Sequence, residues 1–151
     1  MSGSVWGMSA SVDLTRFVTA QEDGGTYASA LRELRGGRKT GHWMWFVFPQ
    51  VAGLGRSETA RFYALSGVEE ARAYLAHPTL GPRLLECADT LAGLNTPDPV
   101  SVLGSIDAMK LRSSMTLFAQ AAETDEDRAR FRAVLERFYG GAEDPETLRR
   151  L

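Results

Sequence analysis

The chain is organised around one stretch, Gly36-Gly-Arg-Lys-Thr-Gly-His-Trp-Met-Trp-Phe-Val-Phe-Pro-Gln50. Residues 43–48 are all apolar, so this aromatic run has no polar face and is expected to be buried on every side. Periodicity does not show whether the run is a short buried helix or a buried strand, but Pro49 ends either one. The turn before it, residues 36–41, carries Arg38 and Lys39 and is called the basic turn below. Polar residues are expected where this core meets solvent: Lys39, Thr40, His42, Gln50 and Ser57.

Outside this stretch, apolar residues recur at helical spacing. Tyr27, Ala30, Leu31 and Leu34 form one such stripe, and two glycines follow it. No segment alternates convincingly between apolar and polar residues as a half-buried strand would. The chain is therefore predicted to be all-α, a single compact multihelical domain of about seven helices. This domain is assigned to residues 12–151, and residues 1–11 are predicted to be a disordered N-terminal extension.

The composition limits the possible functions. With 151 residues, 44% of them hydrophobic, and a formal net charge of -2, the chain can bury a full core but has no overall attraction for nucleic acid or anionic membranes. One cysteine and two histidines exclude an internal disulfide and make a Cys/His metal cluster unlikely, so no metal or cofactor is predicted. Cys87 lies in a leucine stripe and is predicted to be a core residue rather than a nucleophile.

Localisation and assembly are only partly indicated. No apolar run approaches the roughly 20 residues that span a bilayer, and the first ten residues lack the features of a secretory signal. The protein is therefore predicted to be cytoplasmic, with no membrane partner. The sequence does not indicate an oligomeric state.

A second polar group lies at Asp107, Lys110, Ser113 and Ser114. At 100° per residue, Asp107, Lys110 and Ser114 fall within about 60° of each other on one helix face, beside an apolar stripe. Two interpretations remain open. The group is either an ordinary ion pair between residues three apart beside two hydroxyls, or the wall of a site whose other side is the basic turn.

The basic turn does not match a Walker A motif, which has four residues between its first glycine and Gly-Lys-Ser/Thr and follows a strand. What remains is an Arg-Lys pair in a glycine-rich turn, which can bind phosphate through side chains and free amides. Two alternatives are left open for His42. It is either a neutral imidazole, partly buried beside Lys39, that acts as a base or hydrogen-bond donor, or a structural histidine bonded to a backbone carbonyl.

Motifs along nearly the whole chain after residue 12 carry a family resemblance, notably residues 13–21, 37–50 and 110–118, with the His-Trp-Met-Trp-Phe run as the most specific part. On these motifs the sequence resembles the bacterial family catalogued as domain of unknown function 1810 (DUF1810). The resemblance implies a compact, single-domain all-α fold. It implies no function, because the family is defined without one.

Two functional hypotheses follow. A distant similarity in size and aromatic content to the helical domain associated with NAD and ADP-ribose metabolism suggests binding of a phosphorylated nucleoside-like molecule and, more specifically, hydrolysis of an ADP-ribosyl N-glycosidic bond. The alternative is a non-enzymatic protein-interaction or structural module, with the aromatic run as core.

The first hypothesis gives each polar residue a role. Arg38 and Lys39 would hold phosphate. Trp43 or Trp45 would pack against the base or sugar, and Gln50 would orient that group. Asp107 would stabilise cationic charge on the sugar or activate water, with His42 as proton carrier. The remaining residues would position groups at the rim: Ser57, Lys110, Ser113 and Ser114. The hypothesis requires that the basic turn and the Asp107 helix meet around a cavity.

Overall fold

A computed structural model describes residues 13–151, and the predicted N-terminal extension lies outside this range. The all-α prediction is confirmed, since 68% of the described residues are helical and none of them forms a strand. There are more helices than the seven expected, because four have only four or five residues and are too short to show a periodic stripe. The helices are α1 (Thr15–Glu22), α2 (Thr26–Arg35), α3 (Met44–Val47), α4 (Glu58–Phe62), α5 (Val68–Ala76), α6 (Leu80–Ala92), α7 (Pro99–Leu103), α8 (Ser105–Ala121), α9 (Asp125–Tyr139) and α10 (Pro145–Arg149).

Helix α8 is the centre of the fold. It packs against α5, α7, α9 and α10. Leu111, Met115 and Phe118 on this helix are completely buried, and so are its neighbours Leu117 and Ala119 on other faces. Burial on several faces places most of this helix in the interior. The residues of α8 that are at least partly exposed are Ser105, Ile106, Asp107, Met109, Lys110, Arg112 and Gln120.

The aromatic run forms the short helix α3 and ends before Pro49. Burial on every side was expected, and this is wrong for Trp45 and Phe46, which are only partly buried. A single helical turn at the edge of the core presents part of its circumference to solvent, so apolar composition alone does not bury all of it. The buried members of the run are Trp43, Met44, Val47 and Phe48.

Residues 52–64 form a long loop whose two ends are joined by backbone hydrogen bonds. The Ala52 amide donates to the Leu65 carbonyl at 2.7 Å, and the Leu65 amide donates to the Gln50 carbonyl at 2.9 Å. Within this loop, Ser57 Oγ caps α4 by accepting a hydrogen bond from the Ala60 amide at 3.1 Å. Since α4 contains no buried residue, it forms an outer wall beside α3.

No helix in the described range is both long and apolar enough to cross a membrane.

Candidate functional site

Glu33, on α2, fixes the conformation of the basic turn. Its Oε1 atom accepts hydrogen bonds from the amides of Thr40 and Gly41, at 2.8 and 2.9 Å, and from the Trp43 indole Nε1 at 2.9 Å. Burial alone would raise the pKa of Glu33, but the hydrogen bonds from Gly41, Thr40 and Trp43 outweigh it and lower the pKa from 4.5 to about 2. Glu33 is therefore ionised at neutral pH, and its carboxylate is the negative charge that the amides at the end of this turn bind.

The amides of the basic turn were expected to be free to bind phosphate. This is wrong, because they already have hydrogen-bond partners within the protein. The last two amides bond the Glu33 carboxylate, and the Arg38 amide donates to the Glu33 backbone carbonyl at 3.0 Å. The Lys39 amide donates to the Val102 carbonyl at 2.7 Å. The Arg38 side chain is exposed and has no ion-pair partner among residues 13–151.

Lys39 joins the basic turn to α8. Its Nζ atom lies 2.9 Å from Asp107 Oδ2, and it also donates to the backbone carbonyl of Gly41. The Lys39 and Asp107 side chains are only 9% and 18% exposed, so this ion pair is largely shielded from water. The basic turn and the first turn of α8 therefore meet, as the ligand-binding hypothesis required.

Lys110 lies on the other side of Asp107. Its Nζ atom is 3.7 Å from Asp107 Oδ1 and 4.3 Å from the centre of the Trp45 ring. A separation of 3.7 Å is too long for a hydrogen bond. The Lys110 ammonium group donates no hydrogen bond to any residue in the range 13–151, so its three donors remain available, as does Asp107 Oδ1.

These groups surround an open cavity of about 430 Å³, a volume typical of small-molecule sites. Helix α8 begins at this cavity, and no side chain caps its N-terminus. His42 is exposed at the rim, so it does not meet the condition of partial burial under which a neutral imidazole was expected. The lining residues are Lys39, His42, Trp45, Leu103, Gly104, Ser105, Ile106, Asp107 and Lys110. We call this space the lysine cavity.

A second cavity, of about 740 Å³, shares His42 and Trp45 with the first and lies between α3 and α4. We call it the aromatic cavity. Its remaining residues were not predicted from the sequence, because nothing in the spacing of residues 58–63 indicates a cavity. They are Phe46, Glu58, Thr59, Arg61, Phe62 and Tyr63.

Several residues assigned to the site lie elsewhere. Trp43 is buried and its indole is bonded to Glu33, so Trp45 alone of the two tryptophans lines the cavities. Ser113 Oγ bonds Asp144 Oδ2 at 3.0 Å, and Ser114 is completely buried, with no hydrogen-bond partner for its hydroxyl in the described chain. The predicted residues that line neither cavity are Arg38, Trp43, Gln50, Ser57, Ser113 and Ser114.

The single cysteine lies outside both cavities. Cys87 is confirmed as a core residue, and burial raises the pKa of its thiol to about 12. Residues 13–151 contain no group of three His, Cys, Asp or Glu side chains that could hold a metal ion.

Comparison with known proteins supports the fold and the family. No curated protein matches this sequence. The chain is similar to the conserved hypothetical protein Rv1873 from Mycobacterium tuberculosis, whose crystal structure was determined at 1.38 Å. The two share 48% sequence identity over 93% of this chain and 97% of that one, with a TM-score of 0.88. The family model described as "Protein of unknown function (DUF1810)" matches residues 11–151, and the chain therefore belongs to the DUF1810 family.

Proposed function

We propose that the lysine cavity binds a phosphorylated nucleoside-like small molecule and that the protein hydrolyses an N-glycosidic bond in an ADP-ribosyl group. The observation that carries the proposal is the position of Lys110. Its ammonium group lies against Trp45 and beside Asp107, yet all its hydrogen-bond donors are unused by residues 13–151. A cation with free donors beside an aromatic wall is suited to a ligand that combines phosphate with an apolar ring face.

Phosphate binding is assigned to Lys110 rather than to Arg38 and Lys39. Lys39 already bonds Asp107 and a backbone carbonyl, and a phosphate would have to displace one of them. The uncapped start of α8 lines the same cavity and adds the positive end of a 17-residue helix dipole. Lys110 and this helix end therefore favour an anion in the same place.

The chemistry is assigned to Asp107 and His42. In hydrolysis, water adds to the anomeric carbon while the carbon–nitrogen bond breaks, and the bonding electron pair leaves with the nitrogen. Asp107 Oδ1 is free to accept a proton from that water or to stabilise the cationic sugar, since Lys39 occupies only Oδ2. His42, at the rim, would deliver the proton that the departing nitrogen requires. Lys39 holds the Asp107 carboxylate in position.

Binding is tested by titrating the full-length protein with ribose 5-phosphate, AMP and ADP-ribose in a thermal-shift assay and by calorimetry. A ligand present at 100 times its Kd adds about 2.7 kcal/mol to the free energy of unfolding. Lys110→Met keeps the length and apolar packing of the side chain but removes its charge, so we expect it to weaken phosphate binding at least tenfold. Arg132→Met, at an exposed position on α9, is the matched control and should leave binding unchanged.

Hydrolysis is tested by chromatographic detection of the free base and free ADP-ribose from N-glycoside substrates. Asp107→Asn should abolish turnover while phosphate ligands still bind. If no phosphorylated compound shifts the melting temperature at millimolar concentration, the ligand proposal is wrong. The protein would then be better described as a non-enzymatic interaction or structural module.

A further inference from the structure

We infer that the aromatic cavity binds a planar heterocyclic base and that a single ligand of the nucleoside diphosphate-sugar class lies across both cavities. This inference rests on the proposed function, because it assigns the other end of the same ligand. It is supported by the aromatic walls, by the cations at the rim and by the residues that the two cavities share.

Phe62 forms a bare stacking surface on the wall of the aromatic cavity. The residue is 58% exposed. It is nevertheless held in place. The Tyr63 ring packs against it at 4.8 Å between centroids, nearly perpendicular, and Arg16 Nε donates to the Phe62 carbonyl at 2.7 Å. A fixed aromatic ring with an open face can stack a heterocyclic base with little loss of side-chain entropy.

The wall behind Phe62 is anchored in the core. Tyr63 packs on Phe46 at 5.3 Å and on the buried Phe17 at 5.7 Å. The buried Gln21 side chain donates to the Phe46 carbonyl at 2.8 Å and so holds the end of α3. These contacts hold the aromatic surface in one arrangement, which lowers the free-energy cost of binding.

The rim of the aromatic cavity has the polar groups that a base and its phosphates require. The Glu58 carboxylate can accept a hydrogen bond from an exocyclic amine, and the Thr59 hydroxyl can both donate and accept. The Arg61 guanidinium has no ion-pair partner within residues 13–151 and can bond a phosphate in two places. Both the ring and the charge of a nucleotide therefore have counterparts here.

The two cavities are adjacent rather than independent. His42 and Trp45 line both of them, with Lys110 on one side and Arg61 on the other. A diphosphate that crosses at His42 would have a cation on each side. A base at Phe62 would then place the distal sugar beside Asp107, where the proposed bond cleavage takes place. A mononucleotide fills only one of the two spaces.

The test is a calorimetric comparison of ribose 5-phosphate, AMP and ADP-ribose on the intact protein and on three variants, one of which is the Lys110→Met variant described above. Phe62→Ala removes the stacking surface, and Leu148→Ala, another exposed apolar residue on α10, is the matched control. We expect ADP-ribose to bind at least tenfold more tightly than ribose 5-phosphate. Phe62→Ala should weaken ADP-ribose about tenfold and leave ribose 5-phosphate unchanged, because the latter has no base. Leu148→Ala should alter neither.

The outcomes separate the two proposals. If ribose 5-phosphate binds in a Lys110-dependent manner but ADP-ribose binds no more tightly, or Phe62→Ala affects both ligands equally, the two-cavity inference is overturned and the proposed function stands. If neither compound binds, both fail. If Phe62→Ala weakens ADP-ribose while Lys110→Met does not, the aromatic cavity binds a base by itself, and the assignment of one ligand to both cavities is wrong.

Discussion

Replacing Glu33 with glutamine tests a carboxylate that accepts three hydrogen bonds on one oxygen. The change keeps the size of the side chain and one carbonyl-type acceptor but removes the negative charge that the amides of Thr40 and Gly41 and the Trp43 indole now share. A pKa that falls from 4.5 to about 2 on folding corresponds to about 3 to 4 kcal/mol, at roughly 1.4 kcal/mol for each pH unit. Glu33 is only partly buried, so screening by solvent reduces the expected cost to about 1 to 2 kcal/mol.

The sign of the pH dependence follows from the direction of the change in pKa. Because the pKa of Glu33 is lower in the folded protein than in the unfolded chain, its stabilisation is complete above pH 4.5 and disappears as the pH falls towards 2. Urea unfolding of wild type and Glu33→Gln at pH 7, 5 and 3 measures this directly. The difference in unfolding free energy should be largest at pH 7, nearly as large at pH 5 and clearly smaller at pH 3.

The control is Glu123→Gln, at an exposed position with no ion-pair partner in residues 13–151, which should change stability by less than about 0.5 kcal/mol at each pH. The reasoning is refuted if Glu33→Gln costs the same at pH 7 and pH 3, because the stabilisation would then not depend on the ionised carboxylate. A cost below about 0.5 kcal/mol at pH 7 would also refute it.

Three further outcomes are expected. Lys39→Met should lower the free energy of unfolding in urea by about 2 to 3 kcal/mol, because it leaves Asp107 unpaired in a largely shielded site. In the Lys39→Met background, the further change Asp107→Asn should lower it much less than Asp107→Asn does in the wild type. Ser114→Ala should leave stability unchanged or raise it, because it removes a buried hydroxyl that has no partner in the described chain. Ser113→Ala should instead cost about 1 kcal/mol, because it removes a hydrogen bond to Asp144. Urea unfolding curves measure both changes. The Cys87 thiol, buried and with a pKa raised to about 12, should not react with a thiol reagent at pH 8 until urea unfolds the protein; rapid labelling of the native state would contradict this.

The fold was largely predictable from the sequence, because helical periodicity and helix ends are local properties. Helix α2 is an example: its apolar stripe buries Ala30, Leu31 and Leu34, and the helix ends before the two glycines at residues 36 and 37. The outward positions of Trp45 and Phe46 were not predictable, since which side of a short apolar helix meets solvent depends on how α2, α4 and α8 are placed around it.

The candidate site was predictable only in part, and the errors have a common cause. An Arg-Lys pair in a glycine-rich turn has the appearance of free positive charge and free amides. Glu33, several residues earlier on α2, satisfies those amides, and Asp107, far along the chain, pairs with Lys39. Spacing along the sequence shows which charges exist but not which are already neutralised, because the partners come together only in the tertiary structure.

Whether a charge is already neutralised within the protein also determines which substitution can test function separately from folding. Lys39 is paired with Asp107 in a shielded contact that ties the basic turn to the central helix, so removing the Lys39 charge alters folding and binding together. Lys110 is different, because its ammonium group meets Asp107 only at 3.7 Å and contacts Trp45 through the ring face. Removing its charge should cost little stability, since a partly exposed pair at this distance contributes less than about 1 kcal/mol. Loss of ligand binding in Lys110→Met, with the unfolding free energy unchanged, therefore isolates function from structure in a way that Lys39 cannot.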